Sequence, residues 1–208
     1  MVGLTPPRAH DLLRLSNPLD VVPADAPGWV APALRAAPWV VVRRARASAG
    51  RVPVGVRGKA RAQRFAMEVP ETTVTELLAP EDLTARVGSL KRDLPAARAL
   101  HAVSALLDET ALSWGPTGSV GFELASGLPT INASSDLDVL LRPAQPPTRA
   151  WLRFLYAALA RLAARVDCQI ETDAGAVALG ELLSGTREVL LRTPTGPRLI
   201  PAPWPAAA

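Results

Sequence analysis

The sequence predicts a mixed α+β (α/β mixed) fold with a small N-terminal α+β domain over residues 1–80 and a second domain over residues 81–208. Three observations predict it. Short β-branched runs alternate with segments of helical apolar spacing. The 21 prolines and 14 glycines divide the chain into short elements. A content of 49% hydrophobic and 20% charged residues is typical of a globular protein with a substantial core.

The N-terminal part is predicted to contain two short helices followed by a β-hairpin. Helical spacing indicates helices over residues 10–15 and 28–37, and β-branched content indicates strands over residues 38–42 and 52–56. Gly50 lies in the turn between the two strands. The pattern of residues 57–67 fits either a strand or a helix.

The C-terminal part begins after a polar, proline-flanked segment at residues 70–80, where Pro80 opens a helix. A turn is predicted at residues 115–118, and the tail from Pro194 is expected to be irregular. The other predicted elements are helices over residues 94–106, 120–125 and 151–166 and strands over residues 136–141, 166–170 and 188–191. This alternation favours an α/β or α+β domain.

Positive charge is concentrated in one stretch, which we call the basic block (residues 43–64). It contains no aspartate or glutamate and more than accounts for the net charge of +4. Its cationic residues are Arg43, Arg44, Arg46, Arg51, Arg57, Lys59, Arg61 and Arg64. The basic block indicates an anionic partner, such as a phosphorylated ligand, nucleic acid or an acidic protein. A solvated edge strand protected from aggregation explains it equally well.

Residue counts exclude several kinds of site. The single cysteine, Cys168, excludes an internal disulfide and a cysteine-rich metal site. The only two histidines, His10 and His101, are too far apart in the sequence to suggest a histidine zinc site. No apolar run approaches the roughly 20 residues that span a membrane, and prolines interrupt the N-terminal segment where a signal peptide needs an apolar stretch. We therefore expect a soluble, cytoplasmic protein.

Two features within residues 118–142 point to chemistry. Gly118-Ser119 opens a predicted helix, whose first backbone N–H groups can hold an anion. Asp136 and Asp138 stand two apart at the start of an apolar strand, so their carboxylates share a face and can both bind Mg²⁺. An isolated Asp-x-Asp pair is more often a cap and a surface residue. Its combination with Gly-Ser favours a magnesium site for phosphate chemistry.

A third carboxylate is expected from the strand that follows the long helix. In the run VDCQIE, residues 166–171, apolar residues alternate with Asp167 and Glu171, which share the other face. Either carboxylate could approach Asp136 and Asp138 from a neighbouring strand, and Glu171 is slightly preferred. For both Asp167 and Glu171, a position on the solvent-exposed face of the strand without a catalytic role explains the pattern about equally well.

The run WGPTGSVGFELASGLPTINASSDLDVLLR resembles the polymerase-β-type nucleotidyltransferase superfamily, in which Gly-Ser precedes a strand bearing Asp-x-Asp and a neighbouring strand adds a third carboxylate. Within it, the run is similar to the malonate decarboxylase-specific holo-acyl-carrier-protein synthases, or phosphoribosyl-dephospho-CoA transferases. HDLLRL, WVVVRRA, VPVGVRGKARAQRFA and VDCQIETDAGAVALGE agree, so the resemblance covers essentially the whole chain. The sequence departs from the superfamily pattern at one point. The interval between Ser119 and Asp136 is longer than the usual helix-and-loop spacing, and residues 128–133 are the additional residues.

The resemblance implies that residues 81–208 form a polymerase-β-like nucleotidyltransferase domain. It implies transfer of the phosphoribosyl-dephospho-CoA group from 2′-(5-triphosphoribosyl)-3′-dephospho-CoA to a serine of the acyl-carrier subunit of malonate decarboxylase, with release of pyrophosphate. Neither a membrane nor nucleic acid is then expected as a partner. The residues implied for catalysis and Mg²⁺ binding are Asp136 and Asp138, with Asp167 or Glu171 as a further Mg²⁺ ligand. Those implied for substrate binding are Gly118 and Ser119 for pyrophosphate, and Arg57, Lys59 and Arg61 for donor phosphates or the carrier.

Two alternatives stay open. The first is a nucleotidyltransferase that acts on another acceptor, either a small molecule or a protein. The second is a non-catalytic nucleotide- or nucleic-acid-binding module that uses the basic block, although the presence of both Asp136 and Asp138 argues against loss of catalysis.

Overall fold

A computed structural model describes residues 6–110 and 112–202, which form two β-sheets with associated helices. The first sheet has five antiparallel strands in the order β4-β3-β2-β1-β5. Helix α1 packs against β3. The elements are β1 (Leu12–Leu15), α1 (Val30–Ala36), β2 (Trp39–Val42), β3 (Arg51–Arg57), β4 (Arg64–Pro70), a 3₁₀ helix (Glu71–Thr73) and β5 (Val74–Leu78).

The predicted helix over residues 10–15 is wrong, because Leu12–Leu15 forms strand β1 between β2 and β5. Leu13 and Leu15 pack into the core beneath α1, while Leu12 packs into the core of the second sheet. Buried leucines on both faces of β1 remove the alternation that identifies a strand, although Arg14 is exposed, so the pattern is not distinctive.

The other elements predicted in this half are confirmed. Helix α1 lies within residues 28–37, and β2 and β3 form the expected hairpin. Gly50 adopts a φ of 70° in the turn between them, a conformation that glycine adopts without strain. The segment whose pattern was undecided contains a turn followed by the start of β4 at Arg64.

The second sheet has six strands in the order β11-β10-β9-β8-β7-β6. Among the described strands of this sheet, β7 and β8 form the one parallel pair, and helix α4 connects them. The elements are a 3₁₀ helix (Pro80–Ser89), α2 (Pro95–Leu107), β6 (Ser113–Pro116), α3 (Gly118–Ser126), β7 (Leu137–Arg142), α4 (Arg149–Leu159), β8 (Val166–Thr172), β9 (Gly175–Ala178), α5 (Leu179–Leu183), β10 (Glu188–Thr193) and β11 (Gly196–Pro201).

Most elements predicted for this half are confirmed, with shifted ends. Helix α3 begins two residues before the predicted start, and α4 ends at Leu159 instead of continuing to Val166. The predicted turn at residues 115–118 is instead the end of β6 and the start of α3. Strand β9 and helix α5 were not predicted.

The expectation of an irregular tail from Pro194 is wrong up to Pro201, because β11 pairs with β10 throughout its length. Strand β11 is at the edge of the sheet, where a proline without an N–H group is tolerated. The last part of that prediction, residues 203–208, lies outside the described residues.

The two sheets share part of their cores. Leu12, Trp39 and Leu78 of the first sheet pack in the same cluster as Leu100 and Leu137 of the second half. This contact holds the first sheet against the half that carries the predicted aspartates. Within the described residues, none of the helices combines the length and apolar character needed to cross a bilayer.

Candidate active site

Three aspartates lie together at the start of the parallel strand pair. Asp138 of β7 is in register with Asp167 of β8, so their side chains are neighbours on one face of the sheet. Asp136 precedes Asp138 by two residues. Burial, followed by repulsion from Asp136 and Asp167, raises the pKa of Asp138 to about 6. The three carboxylates therefore interact electrostatically and favour the approach of a cation.

Gly118 allows Asp138 to lie against the first turn of α3. Its φ is +59°, and a Cβ atom at this position would lie 1.8 Å from Asp138 Oδ2. The backbone N–H of Thr117 donates to the carbonyl oxygen of Asp138 at 2.8 Å. Thr117 makes no side-chain cap, so the first N–H groups of α3 remain available to an anion beside the aspartates. Ser119 is buried in this turn, with 9% of its surface exposed.

The turn between β3 and β4 brings arginines to the same place. Arg61 Nη2 lies 3.2 Å from Asp136 Oδ2. Burial, together with repulsion from Arg64, lowers the pKa of Arg57 to about 10, while Asp138 attracts its charge. Arg64 is affected likewise, because burial and repulsion from Arg61 lower its pKa. Three guanidinium groups and three carboxylates therefore share one site, although only Arg57 and Arg61 were predicted from the sequence.

Arg57 has unused hydrogen-bonding capacity. Its guanidinium carbon lies 6.0 Å from the centre of the Phe122 ring on α3. Within the described part of the chain, its buried Nε atom has no hydrogen-bond partner. A buried, unpaired donor is costly, so a phosphate oxygen that accepts from it would stabilise the site. Lys59 lies exposed in the same turn, and no ion pair involves it among residues 6–110 and 112–202.

The structure brings Asp167, and not Glu171, to Asp136 and Asp138. Glu171 is on the same strand face but four residues along β8, roughly 13 Å from Asp167 at the usual rise of a strand. There it accepts hydrogen bonds from Arg44 and, at 2.6 Å, from Arg142 Nε. This separation was not visible in the sequence, because both acidic residues share the same alternation.

Arg142 is the centre of a cluster of opposite charges, which we call the arginine–carboxylate cluster. It also donates to Glu81 Oε2 at 2.9 Å and to the carbonyl oxygen of Ala9 at 2.7 Å, and it lies 3.5 Å from Asp11 Oδ1. The members of the cluster are Asp11, Arg44, Glu81, Arg142 and Glu171. They join the two sheets, so Glu171 and Arg44 have structural partners.

The aspartates suit a magnesium ion that is shared with a phosphorylated substrate. Among residues 6–110 and 112–202, no three histidine, cysteine, aspartate or glutamate side chains converge tightly enough to form a cation site by themselves. Mg²⁺ is commonly held by one or two carboxylates together with substrate phosphates and water. Burial, followed by repulsion from Asp136 and Asp167, raises the pKa of Asp138, and a bound cation would offset that repulsion.

A cavity of about 840 Å³ lies at the other ends of β7 and β8, between residues 143–147, α5 and the arginine–carboxylate cluster. Arg142 and Glu171 are part of its lining, but none of the three aspartates is. The groups suited to phosphate chemistry therefore lie outside this cavity.

Glu123 organises the long loop between Gly118-Ser119 and Asp136, a role that the sequence did not reveal. It is only 7% exposed, and Oε2 accepts the backbone N–H groups of Thr130 at 2.6 Å and Ile131 at 2.8 Å. Arg92 donates to the same carboxylate at 3.0 Å, and Thr130 Oγ1 donates to the carbonyl oxygen of Ser119 at 2.8 Å. The loop that leads to the aspartates is therefore fixed to α3.

We expect Glu123→Gln to lower the free energy of unfolding by about 2 kcal/mol, because a charged acceptor of several donors is replaced by a neutral amide. Urea unfolding measures this loss. Exposed Glu109 provides the control, since Glu109→Gln should leave the free energy of unfolding unchanged. Equal stability of the Glu123 variant and the wild type would show that the carboxylate does not hold the loop.

Comparison with known proteins yields the same family across the chain. Residues 82–203 match the family described as "Phosphoribosyl-dephospho-CoA transferase MdcG C-terminal domain", and residues 8–80 match the corresponding N-terminal domain. Proteins named phosphoribosyl-dephospho-CoA transferase are 44% identical in Pseudomonas putida, with 95% of both chains covered, and 44% identical in Pseudomonas aeruginosa, with 95% of this chain and 94% of that one covered. The Klebsiella pneumoniae protein of that name is 43% identical, with 95% of this chain and 96% of its own covered. No solved structure matches the chain.

Proposed function

The chain belongs to the phosphoribosyl-dephospho-CoA transferase family and is a transferase, and from this premise we propose the acceptor and the leaving group of its reaction. The acceptor is a serine of the acyl-carrier subunit of malonate decarboxylase. The donor is 2′-(5-triphosphoribosyl)-3′-dephospho-CoA, and the leaving group is pyrophosphate. The full-length resemblance supports this choice over a nucleotidyltransferase that acts on another acceptor.

In the proposed step, the serine Oγ attacks the α-phosphorus of the donor. The bond from oxygen to phosphorus forms, the bond from the α-phosphorus to the bridging oxygen of pyrophosphate breaks, and the hydroxyl proton is released. The product is a phosphodiester between the carrier serine and the phosphoribosyl group. Pyrophosphate leaves with the excess negative charge, which the arginines of the site can stabilise.

Each part of the site has a role in this proposal. Asp136, Asp138 and Asp167 would hold Mg²⁺, which when bound neutralises triphosphate charge and makes the acceptor hydroxyl more acidic. The N–H groups of the turn at Gly118-Ser119 bind the pyrophosphate, as a helix start does. Arg57 and Arg61, the phosphate ligands expected from the sequence, are joined by Arg64, and Lys59 contacts the outer phosphates from its exposed position.

One observation carries the proposal more than any other: the Asp138 carboxylate lies against the first turn of α3, where only glycine leaves room for it. A metal-binding carboxylate and a phosphate-binding helix start are thereby adjacent. This adjacency is what a phosphoryl-group transfer needs, because the reacting phosphorus must face both groups at once. The ion pair of Arg61 with Asp136 adds a cation at the same place.

The proposal is tested by mixing the protein with apo carrier subunit, triphosphoribosyl-dephospho-CoA and MgCl₂. We expect the intact mass of the carrier to increase by one phosphoribosyl-dephospho-CoA group, with one pyrophosphate released per carrier. A carrier whose acceptor serine is replaced by alanine is the control and should gain no mass. An unchanged wild-type carrier, with a nucleotide consumed on another acceptor, would overturn the assignment. Binding of nucleic acid without turnover would favour the non-catalytic alternative instead.

A further inference from the structure

Helix α4 and the turn after it present an exposed surface of arginine and aromatic side chains. We call this surface the α4 face; its members are Arg153, Phe154, Tyr156, Arg161 and Arg165. Phe154 is 59% exposed and Tyr156 is 50% exposed, although the whole chain contains only three phenylalanines and one tyrosine. The opposite side of α4 is buried through Leu152, Leu155 and Leu159. Exposed aromatics beside arginines are typical of the centres of protein interfaces.

No ion pair among the described residues neutralises the charge of the α4 face. Residues 150–166 contain three arginines, which are Arg153, Arg161 and Arg165, and no aspartate or glutamate. In the described part of the chain, no ion pair involves Arg153, Arg161 or Arg165. Within the basic block, by contrast, Arg44, Arg51 and Arg61 are paired with carboxylates. The surface is therefore complementary to an acidic partner.

The α4 face ends beside the aspartates. Helix α4 is the connection between the parallel strands β7 and β8, so it starts at the far end of the sheet and returns the chain to the end where Asp138 and Asp167 lie. The backbone N–H of Leu137, between Asp136 and Asp138, donates to the carbonyl oxygen of Arg165 at 2.9 Å. A protein bound along this face would be in contact with the edge of the catalytic site.

We propose that the α4 face is the docking surface for the acidic carrier protein that brings the acceptor serine, an inference that rests on the proposed function. The structure gives the arginines of the turn between β3 and β4 a place among the aspartates, which leaves a second basic surface for the carrier. Exposed Ala157 and Ala160 follow Arg153 at i+4 and i+7, so they lie on its side of α4 and leave room for the carrier to approach the helix closely. The arginines then pair with carboxylates of the carrier.

Direct binding of apo carrier subunit, measured by isothermal titration calorimetry without donor, tests the proposal independently of catalysis. We expect the double variant Arg153→Glu and Arg161→Glu to weaken carrier binding by about 100-fold, and Phe154→Ala by about tenfold, as expected for charged and aromatic interface residues. Arg35→Glu, an exposed arginine at the end of α1, is the matched control and should bind the carrier as the wild type does. Circular dichroism and the affinity for the donor alone should be unchanged in all variants.

The outcomes of this experiment separate the docking surface from the reaction. Wild-type carrier affinity in the α4 variants, or no carrier binding by the wild-type protein, would overturn the α4 face as the docking surface. Wild-type carrier binding that depends on α4, with no transfer of the prosthetic group, would leave the docking surface standing and refute the proposed reaction. A shift from dimer to monomer in Phe154→Ala, or loss of oligonucleotide binding without loss of carrier binding, would assign the face to a second copy or to nucleic acid instead.

Discussion

In the reaction proposed above, replacement of Asp138 by asparagine is expected to lower the rate of carrier modification by at least about 1,000-fold, because the amide lacks the negative charge that we propose for Mg²⁺ binding but keeps the shape of the side chain. The reaction is followed by intact mass of the carrier and by release of pyrophosphate. Asp138 lies against Gly118 and is in register with Asp167, so asparagine fits the same space. The lower rate of the Asp138→Asn variant should therefore arise from a slower chemical step and not from unfolding of the protein.

The same variant is expected to be more stable than the wild type in EDTA at pH 7, by about 2 kcal/mol. Burial and the neighbouring Asp136 and Asp167 raise the pKa of Asp138 from its usual 3.8 to about 6. Below about pH 4 the carboxyl group is protonated in both the folded and the unfolded state, so wild type and variant should have equal stability. Between about pH 4 and pH 6 the carboxyl group ionises in the unfolded state but stays protonated in the folded state, so the wild type loses stability that the variant keeps, and above about pH 6 the difference is constant. Urea unfolding across this pH range measures the difference.

Two further variants make the result specific. Asp167→Asn should also abolish transfer, because Asp167 faces Asp138 across the strand pair. Asp93→Asn removes an exposed aspartate, with 84% of its side chain accessible, and should retain activity. Wild-type activity in Asp138→Asn would remove this residue from the catalytic site. A variant that is inactive because it is unfolded would contradict the predicted gain in stability.

Local features of the site could be predicted from the sequence, because they depend on short stretches of chain. The presence of a helix next to Gly118-Ser119 and the placement of Asp136 and Asp138 at the start of a buried strand follow from residue type and alternation over a few positions. The hairpin of β2 and β3 was predictable for the same reason, since β-branched runs flank a glycine turn.

Features that depend on contacts between distant segments could not be predicted. Asp167 and Glu171 alternate identically in the sequence, and only the register of β7 against β8 places one opposite Asp138 and the other opposite Arg142. Likewise, Arg44 and Arg61 belong to one basic block, but their partners are 127 and 75 residues away in the sequence. No pattern within a window of ten or twenty residues contains this information. Strand β1 was not predicted because leucines on its two faces pack into two different cores, which removes the alternation of apolar and polar residues.

Replacement of Arg142 by leucine is expected to destabilise the protein by about 4 kcal/mol, the largest effect on stability that we predict. Arg142 is 8% exposed and donates to Glu81 and Glu171, with Asp11 3.5 Å away. Leucine would leave these carboxylates buried without their shared cation. Burial raises the pKa of Asp11 to about 6 even with Arg142 present, so the carboxyl already ionises with difficulty. Urea unfolding at pH 7 measures the loss, and a matched exposed pair provides the control.

Arg98→Leu breaks the surface pair with Asp93 and should cost no more than about 1 kcal/mol.

The pH dependence identifies the cause of this loss. Burial alone would raise the pKa of Glu171, but hydrogen bonds from Arg142 and Arg44 outweigh it and lower the pKa. In the wild type, Glu171 therefore contributes stability above its usual pKa of 4.5, and this contribution is lost as the pH falls through the lower pKa of the folded state. The difference between wild type and Arg142→Leu should accordingly be largest at neutral pH and narrow below about pH 4, where the carboxyl groups are protonated. A difference that does not change with pH would mean that Arg142 acts through packing of its side chain, and that the arginine–carboxylate cluster does not join the two sheets electrostatically.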